Sequence, residues 1–133
     1  MSNDDFTIYS STMTNDLFEI LEIKFEETSE MERQIISAFS FGMINAYALE
    51  KKVEQPKVHG TMISILINKF KYSEKQACEF AQTLINSTNR EYHPTMYTII
   101  HRGIQAYYDY KETKEKEVYD NLTYIIDTIV SKQ

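Results

Sequence analysis

Cysteine, glycine and proline are scarce in this chain of 133 residues, and each scarcity removes a class of explanation. The single cysteine, Cys78, cannot build a disulfide framework, and three scattered histidines give no cysteine-histidine zinc spacing. Three glycines and two prolines are too few for a linker-rich or disordered chain, so a folded protein is expected. Long apolar runs are also missing: none approaches the roughly 20 residues of a membrane span. The opening Met1-Ser2-Asn3-Asp4-Asp5 is acidic where a secretory signal would be basic. The expectation is a soluble, cytoplasmic protein with no membrane partner, a single all-helical domain over residues 1–133.

Sequence signatures of chemistry are lacking too. There is no glycine-rich phosphate loop, no G-x-S-x-G elbow and no H-E-x-x-H. No glutamate stands three residues before a histidine, as the carboxylate-bridged metal bundles require. His93, His101, Asp109 and Cys78 have no spacing that argues for a catalytic set, so no catalytic residue, metal or cofactor is expected.

Charge, by contrast, is plentiful and uneven. The net charge is −6, yet Met1 to Glu32 holds nine carboxylates against Lys24 alone, a segment charge of −8 that leaves +2 for the remainder. Such a segment repels phosphate backbones, which disfavours nucleic acid, and suits a basic protein partner. A solvated acidic surface that only aids solubility is the competing reading.

Apolar residues recur at helical steps throughout. Asp4 and Asp5 follow Ser2 and Asn3, an N-cap type of start, and Phe6, Tyr9, Met13, Leu17, Ile20 and Leu21 mark one stripe over about residues 4 to 23. Ser29-Glu30-Met31-Glu32 reads as a capping box opening a second helix, apolar nearly all round and therefore central, with Leu49 on its stripe and Gly42 at a close crossing. Gln55-Pro56 separates it from a third helix to about Phe70, in which His59 falls inside the apolar arc and reads as a packed, hydrogen-bonded core histidine. A second capping box, Ser73-Glu74-Lys75-Gln76, opens a fourth helix, with Cys78 as a small core filler. A fifth starts at Pro94. On its flank Tyr97, His101 and Tyr108 either pack as a hydrogen-bonded layer or form an exposed aromatic patch suited to protein recognition. Residues 109–117 are a charged stretch, helical or a short break, before a sixth helix through Val118, Leu122, Ile125 and Ile129. The fold class is all-α, a compact bundle of about six helices.

Ser29-Glu30-Met31-Glu32-Arg33-Gln34-Ile35 followed by Phe41-Gly42-Met43-Ile44-Asn45-Ala46 resembles immunity protein family 48 of bacterial polymorphic toxin systems. Pro56-Lys57-Val58-His59, Tyr72-Ser73-Glu74-Lys75-Gln76-Ala77, Phe80-Ala81-Gln82 and Ile99-Ile100-His101-Arg102-Gly103-Ile104 continue the likeness, which spans roughly residues 25 to 110. The resemblance implies a small helical protein that binds and neutralises a cognate toxin without catalysis. Gly42, His59, His101, Arg102 and Gly103 match family landmarks, and for Gly42, His59, Arg102 and Gly103 a structural role is expected. The expected partner contacts are Glu19, Glu22, Glu26, Glu27 and Glu30, supplemented by Tyr97, His101 and Tyr108. A helical adaptor with a non-toxin partner is the alternative, and monomer and homodimer both stay open.

Overall fold

The computed structural model of the chain describes residues 3–132. Among these, six helices form one all-α bundle: α1 (Asn3–Leu21), α2 (Glu30–Lys51), α3 (Gln55–Asn68), α4 (Glu74–Asn86), α5 (Pro94–Lys111) and α6 (Glu115–Val130). A 3-10 turn over Phe25–Glu27 joins α1 to α2. Ser2, expected at the first cap, lies outside the described residues.

Each boundary has a local cause. Both capping boxes form: Ser29 Oγ accepts the Glu32 N–H while Glu32 accepts the Ser29 N–H, and Ser73 and Gln76 repeat the exchange. Pro56 and Pro94 sit in first turns, where a missing N–H costs nothing, and His93 Nδ1 accepts the Met96 N–H at 3.2 Å. The charged stretch is a break. α5 stops at Lys111, Thr113 takes the left-handed conformation at φ 58°, and α6 restarts at Glu115.

α2 is the axis of the bundle, buried continuously from Ile35 to Ile44, and it packs against α1, α3, α5 and α6. Its largest interface is with α5, where Gly42 and Gly103 meet. A Cβ on Gly42 would lie 2.0 Å from the Ile100 carbonyl oxygen, and one on Gly103 would lie 2.1 Å from that of Phe39. Both obstacles are backbone, so only glycine permits this approach. Phe18, Phe25 and Phe70 close one end of the core, while Phe6, Tyr9, Tyr47 and Tyr107 pack ring against ring at the other.

Three expectations about burial need correction. His59 is half-buried rather than enclosed in the core, because α3 buries Val58, Thr61 and Met62 and turns His59 to the edge of that arc. Cys78 is exposed, since α4 buries only Ala77, Ala81 and Leu84 and the thiol lies on the outer side. Leu49 is 79% exposed; it keeps the α2 periodicity, but no neighbour covers the outer side of the last turn there.

Candidate partner-binding surface

The five N-terminal glutamates are exposed, and the fold divides them. α1 ends in a reversal in which the Ile23 N–H reaches the Phe18 carbonyl and Glu22 adopts φ 55°. Glycine is usual at such a position, so Glu22 is held there at some cost in backbone energy. Glu19 and Glu22 line a shallow groove with Ile20 and with Glu115, Lys116 and Tyr119 of α6. Glu19 and Glu26 border a second groove beside Phe18, Phe25, Lys24 and Lys69. Glu19, Glu22 and Glu26 thus gather at one corner, where the first two turns of α6 contribute Glu115 and Tyr119. Sequence reasoning missed those two because they stand nearly a hundred positions away.

The other two glutamates are engaged in local structure. Glu27 accepts the Lys24 N–H at 2.8 Å and so fastens the 3-10 turn. Glu30 accepts the Tyr72 hydroxyl at 2.7 Å and the Gln34 amide at 3.2 Å, in a groove between α2 and α4. Burial and this bond to a carboxylate raise the Tyr72 hydroxyl well above the ordinary tyrosine range.

On α5 the rings of Tyr97 and His101 pack with centroids 4.1 Å apart and planes tilted by 44°, one helical turn from each other. His101 and Tyr108 are exposed and Tyr97 is half-buried. Among the described residues neither Tyr97 nor His101 makes a side-chain hydrogen bond, so of the two readings the patch describes the geometry and the hydrogen-bonded layer does not. Tyr108 stands farther along, edge-on to the buried Tyr107 at 5.3 Å. Tyr107 donates to Glu50 Oε1 at 2.7 Å, and the Lys111 ammonium holds the other carboxylate oxygen. The hydrogen bonds from Lys111 and Tyr107 hold Glu50 below the usual carboxylate range. Burial, then the bond to Glu50, push the Tyr107 hydroxyl strongly upward.

The glutamate corner and the Tyr97–His101 pair lie toward opposite ends of the α5–α6 hairpin. Glu19 and Glu22 adjoin the first turn of α6, beside the break, whereas Tyr97 and His101 stand in the first half of α5, far from it. Arg102 also occupies that distal half. Its Nη1 donates to Asn121 Oδ1 at 3.0 Å, and its guanidinium lies 5.2 Å from the Tyr124 ring centroid. It borders a groove of about 370 Å³ between α5 and α6, with Thr98, Ile125, Thr128 and Ile129. No local pattern linked Arg102 to residues 19 and 22 positions later.

Among the described residues no group of three or more His, Cys, Asp or Glu could hold a metal ion, and no helix is long and apolar enough to cross a membrane. The family model described as Immunity protein 48 matches residues 6–130, which extends the likeness into α1 and α6. No curated protein and no solved structure matches the chain. The chain belongs to the immunity protein 48 family.

Proposed function

We propose that this immunity protein acts by binding a cognate toxin stoichiometrically in the cytoplasm of the cell that makes it, without catalysis. The observation that carries this reading is the family match, which runs through all six helices. The surface suits it. Glu19, Glu22 and Glu26 present carboxylates at one corner with Tyr119, and an acidic patch of this kind accelerates encounter with a basic protein more than it sets final affinity. Glu27 and Glu30, with local hydrogen bonds to serve, contribute charge to the field rather than direct contacts. Tyr97, His101 and Tyr108 supply rigid aromatic area on α5.

The test is to express the C-terminal domain of the adjacent upstream gene's product with and without this chain, scoring survival and co-purification. Survival with a co-purifying complex is the expected result. Toxicity that this chain does not relieve would overturn the proposal. A helical adaptor for a non-toxin partner would then be the reading left.

A further inference from the structure

The groove between α5 and α6 lies at the distal end of the hairpin and is left unused by the acidic corner. Arg102 is half-buried at its wall, fixed on one side by Asn121 and on the other by the Tyr124 ring. Asn121 also donates to the Arg102 backbone carbonyl at 3.4 Å, so the two side chains lock the helices in register. A guanidinium has five N–H donors, and Asn121 Oδ1 is the one acceptor it reaches among the described residues. No carboxylate among those residues comes within ion-pair distance of it. Among the described residues, then, Arg102 is a positioned cation without a counter-ion, in a molecule of net charge −6.

Its surroundings hold no carboxylate: Thr95, Thr98, Thr128 and a second cation, Lys132, rim an aliphatic floor. Ile99 and Ile125 form a buried floor, Ile129 is half-buried, and Tyr124 is 60% exposed above them. From Tyr92 to Tyr108, α5 and its lead-in carry no carboxylate, and Asp120 and Asp127 of α6 are not among the residues that line the groove, so no acid stands in it. Arginine and tyrosine over an aliphatic floor are the groups that dominate protein-protein affinity, and a guanidinium already held in place loses little freedom on binding.

We infer that this groove receives an apolar segment of the toxin that carries a carboxylate side chain. The carboxylate pairs with the free edge of Arg102 while its aliphatic neighbours pack on Ile125 and Ile129. The inference rests on the toxin-binding reading above and adds a second, oppositely charged contact to it. The bound toxin then meets carboxylates at one end of the hairpin and a cation at the other, which fixes its orientation.

Thr98→Glu tests this. Thr98 is exposed on the groove wall one turn before Arg102, and glutamate four residues ahead of arginine is a favourable helix pair. The variant should fold as the parent does while supplying Arg102 with a carboxylate from its own chain. The probe is that same neighbouring domain, shown toxic in the test above and then inactivated by substitution, with binding followed by calorimetry. Thr98→Glu is expected to raise Kd by at least about tenfold, and Thr98→Gln to leave it near the parent value. Should Thr98→Glu misfold, Tyr124→Ala, which releases the guanidinium from an exposed ring, is expected to give the same loss. If the parent binds and Thr98→Glu binds equally well, the groove is not the contact and the inference falls alone. If the parent forms no complex, both readings fall. A parent dimer that Thr98→Glu dissolves would assign the groove to a second copy and overturn the inference.

Discussion

At Gly42 and Gly103 a missing methyl group lets two helices touch backbone to backbone, and the third glycine is the internal control. A methyl group at Gly60 on α3 would meet nothing within 4 Å, so alanine there adds helix propensity at no steric cost. Gly60→Ala should stabilise by up to about 1 kcal/mol. Gly103→Ala carries the same propensity gain but drives a Cβ into the Phe39 carbonyl, so it should destabilise by about 3 kcal/mol or more. Urea denaturation of the pair decides it; equal shifts would mean that the α2–α5 contact is not tight. The crossing at Gly42 was legible because a glycine inside an otherwise apolar helix has few other uses. The half-burial of His59 and the exposure of Cys78 were not, because a helical wheel fixes an angle and not the neighbour that lies there. Tyr107 and Glu50, 57 positions apart, were equally invisible. Tyr107→Phe should cost about 1 kcal/mol, modest because the carboxylate end of the pair is wet. Since Glu50 is held below its ordinary value, its contribution is present at neutral pH and is lost as pH falls through that lowered value. Glu50→Gln should therefore flatten the acid limb of the stability profile, and an unchanged limb would show that the triad does not stabilise the fold.

At the level of elements, the capping boxes, the proline starts and the number of helices were readable because each is decided by residues within one turn. Ser29→Ala and Ser73→Ala should each cost about 1 kcal/mol, and because the Tyr72–Glu30 bond joins the residues beside the two caps, the double variant is expected to depart from the sum. The segment between α5 and α6 was ambiguous because its lysines and glutamates favour helix whereas the packing of α6 against α1 and α2 requires a reversal. Thr113 makes that reversal with a β-branched residue at φ 58°. Thr113→Gly should raise the melting temperature, with a gain of about 1 kcal/mol, by relieving this conformation. A loss instead would mean that the Thr113 hydroxyl bond to the Glu112 carbonyl outweighs the strain.

Across the whole molecule, tyrosine–carboxylate bonds recur where distant segments meet: Tyr72 on Glu30, Tyr107 on Glu50, and Tyr110 on Asp16 at 2.5 Å. They join positions 42, 57 and 94 apart, which is why composition showed ten tyrosines without showing what they do. A hydroxyl that donates to a carboxylate must keep its proton, because a phenolate would face a second negative charge. Burial first, and these bonds next, raise all three hydroxyls, while burial is the leading cause for Tyr9 and Tyr47 as well. An unfolded tyrosine ionises near pH 10. The folded state therefore holds more protons than the unfolded one above that pH, so this stabilisation is complete below about pH 10 and declines as pH rises through the folded values. Alkaline titration should show helix loss by circular dichroism and phenolate absorbance rising in one cooperative step. Tyr72→Phe combined with Tyr110→Phe should move that step to higher pH, because two of the groups that pull the unfolded state by ionising are gone. Full helicity retained while every tyrosine titrates would mean that the hydroxyls ionise in place and that these bonds do not hold the bundle together.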